Sequence, residues 1–315
     1  MKYLIPFLFF FSIISCDKRK TKTENNTQNL KQYITVLGIA QDGGYPHIGC
    51  QKECYTNFYK GINKRKSVVS LGLVDIENQQ KWLFEATPDM HTQLAELESN
   101  HLKTTSIIDG VFLTHAHIGH YTGLMYFGRE AYGKKDIAVY AMPKMTNFLK
   151  NNGPWHQLIT LQNIKLQALH ADTSLVLNEN LKVTPFLVPH RDEFSETVGF
   201  KIQGKNKSAL FIPDIDKWHK WNKNIIDEVK KVDYAFLDAT FLNQYEVKRA
   251  MSEVPHPFIE ETISLFKDET LATKNKVIFI HFNHTNPTLL KESTERIEIE
   301  KLGFTFADEG MKIEL

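Results

Sequence analysis

Three histidines crowd into six residues at His115-Ala116-His117-Ile118-Gly119-His120, directly after the apolar run Gly110-Val111-Phe112-Leu113-Thr114. The run reads as a buried strand. A strand that opens into a short loop carrying three imidazoles aims them at one point. Neutral imidazole is a good ligand for zinc, iron and related metals. With 13 histidines in 315 residues, that density is not what scattered placement produces. The apolar Tyr121-Thr122-Gly123-Leu124-Met125-Tyr126-Phe127 that follows argues for a structured loop rather than a solvated His-rich turn.

Strand-like runs rich in β-branched and apolar residues fall at Tyr33–Ile39, Val68–Ile76, Lys81–Glu85, Gly110–Thr114 and Ile137–Ala141. More follow at Leu181–Val188, Thr197–Ile202, Ser208–Ile212, Tyr234–Leu237 and Lys276–Ile280. Helices are predicted at Pro88–Ser99, Tyr121–Ala131, Lys144–Asn151, Ile215–Lys230, Pro257–Lys267 and Pro287–Leu302, with Pro88, Pro257 and Pro287 in first turns. Periodicity alone supports only an α/β (α+β) class. Four further polar clusters follow strand-like runs: Glu85 to Asp89, Val188 to Glu193, Phe211 to Asp216 and Phe279 to His284. Polar side chains at strand ends are well placed to converge on one edge of a sandwich.

The hexapeptide resembles the His-x-His-x-Asp-His motif of the metallo-β-lactamase superfamily, with Gly119 at the aspartate position. The order of the clusters matches that pattern too. The resemblance implies a four-layer αββα sandwich. It implies His115, His117 and His190 as ligands of a first metal, Asp214 as a bridging carboxylate, and His120 and His281 as ligands of a second. Three imidazoles with an open position suit zinc. Gly119 removes a carboxylate from the second site. That site is then weak, empty, completed by Asp89, or filled by iron or manganese, which tolerate two imidazoles and a carboxylate. Metal would lower the pKa of bound water and supply a hydroxide nucleophile. Candidates to assist the leaving group are His284 and His256, then Asp89 and Glu193; Asp238 reads as a supporting residue. His47, His91, His101, His156, His170 and His219 read as surface or core residues.

Longer stretches resemble the pyrroloquinoline-quinone biosynthesis protein B family. They are Gly38 to Gly44, Ala86 to Asp89, Thr114 to Ala131, Val188 to Phe200 and Ile280 to Pro287. Such matches are specific for lineage and less so for activity, because one fold hosts many reactions. Three readings stay open. The first is a metallo-hydrolase using a metal-bound hydroxide on an ester, lactone, phosphodiester or amide. The second is an iron-dependent hydroxylase related to quinone-cofactor synthesis. The third is a non-catalytic metal-binding lipoprotein. The retained His115 and His117 favour hydrolysis.

The chain opens with Lys2 and an apolar run from Tyr3 to Ile14 before Ser15-Cys16. This reads as a secretory signal over residues 1–15. Ile13-Ile14-Ser15-Cys16 resembles a bacterial lipobox, the alternative being an ordinary signal with an incidental cysteine. Lipidation at Cys16 would anchor the chain to a membrane of the cell envelope, on the periplasmic or surface side. Polar residues 16–32 read as a tether, and 33–315 as a single domain. Charge is balanced, 38 basic against 37 acidic residues, with no basic stripe to suggest nucleic acid; a small-molecule substrate is expected. Cys50 and Cys54 sit in a glycine-rich loop with His47. They are free, disulfide-bonded or part of a structural zinc site.

Overall fold

The computed structural model describes Met1, residues 30–247 and residues 250–315. The expected signal segment and Cys16 lie outside the described residues, Met1 aside. No helix among the described residues is long and apolar enough to cross a membrane.

Two seven-stranded mixed sheets face each other. The first is built from β1 (Gln32–Gly38), β2 (Ser70–Asp75), β3 (Gln80–Phe84), β4 (Gly110–Phe112), β5 (Ile137–Ala141) and β6 (Ile164–Ala168). The second holds β7 (Leu175–Asn178), β8 (Leu181–Leu187), β9 (Val198–Gln203), β10 (Ser208–Ile212), β11 (Tyr234–Asp238), β12 (Val277–Ile280) and β13 (Thr305–Phe306). The chain then returns, and β14 (Lys312–Glu314) pairs antiparallel with β1 at the edge of the first sheet. Each half begins with antiparallel hairpin pairing and ends with parallel strands, β3 to β6 and β10 to β13. Parallel strands need crossovers, and helices supply them on the outer faces. This is the expected αββα sandwich.

The inner faces of the two sheets are apolar and pack against each other. Phe84, Phe112, Phe200 and Phe211 meet at the centre, with ring centroids 4.8 to 6.2 Å apart. Parallel strands buried on both faces read as continuous apolar runs, as Val277–Ile280 does. On the outer face of the first sheet, Met90, Leu94 and Leu97 of the helix Met90–Asn100 and Met145 and Leu149 of Pro143–Asn151 close a second apolar layer.

The expected strands all form, and Gln32, assigned to the tether, already belongs to β1; its side-chain amide donates to Asp75 Oδ2 at 2.8 Å. Strands β6, β7, β13 and β14 went unread. The last two are too short for periodicity, and β6 is an edge strand with half-exposed residues. Three predicted helices are broken. Ile215–Lys230 is helical only at Ile225–Lys230, after a 3₁₀ turn at Trp218–Lys220. There the indole N–H groups of Trp218 and Trp221 donate to Thr262 Oγ1 and the Leu187 carbonyl. Tyr121–Ala131 shrinks to the turn Ile118–Tyr121 and a 3₁₀ segment Thr122–Phe127. Pro287–Leu302 splits into Pro287–Leu289 and Thr294–Lys301.

Candidate metal centre

Every functional side chain comes from a loop leaving a strand, and all emerge at one edge of the sandwich. His115, His117 and His120 follow β4, His190 follows β8, Asp214 follows β10, His256 lies between β11 and β12, and His281 follows β12. One potential ligand atom each from His115, His117, His190 and Asp214 lie within 4.8 Å of one another. His115 Nε2 is 2.9 Å from His117 Nδ1, and His190 Nε2 is 3.3 Å from the same atom. Asp214 Oδ2 lies 3.4 Å from His115 Nε2, 3.2 Å from His190 Nε2 and 3.9 Å from His120 Nε2. It therefore stands between this cluster and a second, formed by Asp42, His120 and His281.

For His115, His117 and His281 the ring nitrogen that faces away from the cluster is held by an acceptor, which decides the tautomer, whereas His120 Nδ1 and His190 Nδ1 make no hydrogen bond of good geometry. Thr114 Oγ1 donates to Glu85 Oε1 at 2.5 Å, so it accepts from His115 Nδ1 at 2.8 Å. Glu85 Oε1 also faces His120 Nδ1 at 3.3 Å. Thr240 Oγ1 donates to Asp238 Oδ1 at 2.7 Å and accepts from His281 Nδ1 at 2.8 Å. His117 Nε2 meets Glu193 Oε2 at 3.0 Å. The nitrogens left with lone pairs are His115 Nε2, His117 Nδ1 and His281 Nε2, and these face the two clusters. Such supporting acceptors are the usual partners of metal ligands.

The fit to a metal rests on atoms that the protein itself leaves unpaired. Asp42 Oδ1, His120 Nε2, His281 Nε2 and Asp214 Oδ1 are buried and make no hydrogen bond of good geometry. Orphaned buried polar atoms are costly, and one cation among Asp42, His120 and His281 would satisfy three of them at once. The donor set, imidazoles with carboxylates, suits zinc, iron or manganese. The backbone is strained on both sides of the site: Glu85 has φ 77° and His281 has φ 68°. Left-handed φ at such residues costs on the order of 1–3 kcal/mol and persists where surrounding structure imposes it. His117 and Asp42, with side chains 14% and 29% exposed, are its open members. Solvent reaches the two clusters from their side.

Electrostatics follow from crowding. Burial, and then the neighbouring His120, hold His115 well below the usual histidine range, in the neutral form that ligates metal. Burial also lowers His120, but Glu85 and Asp42 outweigh it and hold it well above that range. Burial raises Asp214, yet His190 and His256 bring it well below the ordinary carboxylate.

His256 stands beside the ligands. Its Nδ1 lies 3.0 Å from Asp238 Oδ2 and 3.2 Å from Asp214 Oδ1. Burial opposes its charge, but Asp238 and Asp214 push its pKa up to about 10. Asp238 is held in turn by the Thr240 N–H at 2.9 Å and the Ile215 N–H at 3.2 Å. It orients His256 directly and His281 through Thr240, and with these two histidines it forms a further group whose potential ligand atoms lie within 4.8 Å of one another.

Two expectations require correction. Asp89 does not complete the second cluster. It precedes the helix Met90–Asn100, its Oδ1 is taken by the Arg65 guanidinium, and its Oδ2 accepts the Val68 N–H at 2.9 Å. His284 does not join the catalytic histidines either. It groups with Cys50 and Cys54, and its Nδ1 lies 3.0 Å from Asn283 Oδ1. The cysteines are free, with Sγ atoms 3.1 Å apart. Their third potential ligand is His284 rather than His47, which stacks on His284 at 4.3 Å. Sequence reasoning missed Asp42 and the supporting roles of Glu85, Thr114 and Thr240. Asp42 carried one signal: a polar loop, Gln41-Asp42-Gly43-Gly44, following a strand in a chain whose motif lacks its aspartate.

Comparison with known proteins agrees with this geometry. Coenzyme PQQ synthesis protein B of Methylorubrum populi is 25% identical over 309 residues, spanning 90% of this chain and 100% of that protein. Zinc-bound PqqB from Methylobacterium extorquens superposes with a TM-score of 0.73 at 22% identity, covering 90% of this chain and 100% of that one. A diphosphatase from the PhnP family gives 0.64 at 21% identity, covering 90% and 97%. The profile of the beta-lactamase superfamily domain matches residues 80–282, from β3 past the end of β12. With its two facing sheets and its histidines at one edge, the chain belongs to the beta-lactamase superfamily.

Proposed function

We propose that this protein is a metal-dependent hydrolase acting on an ester, lactone, phosphodiester or amide. The observation that carries the reading is the convergence of His115, His117 and His190 on Asp214, beside a second group of Asp42, His120 and His281, with His115, His117 and His281 each backed by an acceptor. His115, His117, His190 and Asp214 would hold one ion, with zinc the best match to that donor set. Asp214, His120 and His281 would contribute to a second, of zinc, iron or manganese. A bound divalent ion supplies Lewis acidity and a more acidic water.

The protein's own groups do the rest. Asp238 fixes His256 through Nδ1, so Nε2 is the nitrogen that delivers a proton to the leaving group. Glu85 and Thr114 hold His120 and His115 in place, and Glu193 holds His117 at the open side. We place the protein in the bacterial cell envelope, tethered by lipidated Cys16, with a small-molecule substrate.

The test is hydrolysis of a panel of esters, lactones, phosphodiesters and amides by metal-loaded protein lacking residues 1–16. Turnover of one class, lost on His256→Ala with metal content unchanged, supports the reading. Inertness across the panel overturns it.

A second reading is an iron-dependent oxidoreductase related to quinone-cofactor synthesis. Its support is the similarity to coenzyme PQQ synthesis protein B along 90% of the chain, together with the two-imidazole, one-carboxylate cluster of His120, His281 and Asp42. Oxygen uptake by iron-loaded protein, with no hydrolysis, would put it first.

A further inference from the structure

We infer that Asp42 is the carboxylate ligand of the second metal, supplied from a different loop in place of the aspartate that Gly119 removes from the histidine motif. This rests on the metal-centre reading above and deepens it.

The geometry makes positions 42 and 119 alternatives. Asp42 Oδ1 lies 3.1 Å from His120 Nε2, and with His281 it offers ligand atoms within 4.8 Å of one another. A Cβ built on Gly119 would stand 2.7 Å from Asp42 Cα and 2.8 Å from its Cγ. Real Cβ atoms do not approach so closely. The Asp42 side chain fills the space into which a residue-119 side chain would project. Gly119 is therefore not a simple loss of a ligand. Its missing side chain is what admits Asp42.

Asp42 is also placed by backbone bonds that do not depend on metal. Ala40 bridges to Val68 on one side and to Phe282 on the other. The Gln41 N–H donates to the Phe282 carbonyl at 2.8 Å, and the Phe282 N–H to the Ile39 carbonyl at 2.8 Å. The loop that carries Asp42 is thus stitched to the strand end that carries His281. A turn closes it, the Gly44 N–H donating to the Gln41 carbonyl at 2.7 Å. Both ligands sit on one rigid frame, which favours a preformed site for a divalent transition metal.

The experiment uses metal-depleted protein reloaded with zinc or cobalt(II), followed by metal count, titration of affinity and thermal unfolding. Four chains are compared: wild type, Asp42→Asn, Gly119→Asp and the exchange Asp42→Gly/Gly119→Asp. An ion held by Cys50, Cys54 and His284 cancels in each comparison. Asp42→Asn, close to isosteric, is expected to weaken the second ion by on the order of tenfold or more. Gly119→Asp alone is expected to gain no metal and to unfold at lower temperature. The exchange is expected to recover the ion that Asp42→Asn loses, and thermal unfolding of Asp42→Asn without metal at the wild-type temperature shows that its loss is not misfolding. Wild-type affinity in Asp42→Asn, or extra metal in Gly119→Asp, overturns the inference. A wild-type chain that takes up no ion at the histidines overturns the metal-centre reading itself, a distinct result.

Discussion

His101 is a buried histidine on the side chain of which stability should depend steeply on acid. It ends the helix Met90–Asn100 and packs on β1, its ring nitrogens 3.2 Å from Tyr33 Oη and 3.4 Å from Thr35 Oγ1. Its side chain is 2% exposed. Burial, with help from Lys312 and against Glu96, lowers its pKa from 6.5 to about 4. The folded state thus holds it neutral where the unfolded chain protonates it. Below pH 6.5 the unfolded state binds more protons, so stability falls with falling pH until the folded-state pKa near 4 is passed. At 1.36 kcal/mol per pKa unit, the full swing is roughly 3 kcal/mol. The perturbation is His101→Phe, which keeps an apolar ring and removes the titration. The assay is urea unfolding of both chains from pH 7.5 to pH 4. At neutral pH the variant is expected to be less stable by about 1 kcal/mol, through hydroxyls that lose a partner. The gap should close and then reverse as pH falls, by roughly 3 kcal/mol in all. Other titrating groups, the metal-site histidines among them, are common to both chains and cancel. Parallel stability curves would refute the reasoning.

Asp238→Asn should lower kcat by roughly 10²–10⁴, because His256 loses the acceptor that orients it, and should weaken metal held by His281 on the order of 10–100-fold through Thr240; steady-state kinetics at saturating metal beside a metal titration separates the two effects. Glu85→Gln is expected to weaken metal held by His120 on the order of 10–100-fold, since that carboxylate faces His120 Nδ1 and takes the Thr114 hydroxyl; unchanged affinity would remove Glu85 from the site. Arg296, buried on Asp308 at 2.9 and 2.8 Å with Glu300 at 3.0 Å, pins the helix Thr294–Lys301. Arg296→Met should cost about 2 kcal/mol, near 5 °C in Tm by calorimetry, discounted because Asp308 is partly exposed. Chelation of the metal-loaded protein should lower Tm, and readdition at about 100 times Kd should restore roughly 2.7 kcal/mol; a Tm indifferent to chelator would speak against a structural link between metal and fold.

Where sequence succeeded, the signal was local. His115, His117 and His120 lie on one short loop, and the apolar runs before and after it mark that loop as buried. Strand runs such as Gly110–Thr114 and Ser208–Ile212 carry their own burial pattern, so their existence and the strand-end position of His190, Asp214 and His281 could be read directly. The two-sheet arrangement came from the resemblance to the metallo-β-lactamase superfamily and not from periodicity, which says nothing about how strands pair.

What tertiary structure alone decided is long-range. Asp42 stands 77 positions before Gly119 in the chain, and only the stitching of its loop to Phe282 brings it into the space that Gly119 leaves. Asp89 looked like the spare carboxylate because it follows a strand near Glu85; Arg65 and the Val68 N–H claim it. His284 looked like a partner of His281, three residues away, but the left-handed turn at His281 is followed by a chain course that sends His284 to Cys50 and Cys54. Residue types and local periodicity name the groups able to do chemistry. Which of them share a partner depends on contacts between segments distant in the chain, and no local pattern encodes those.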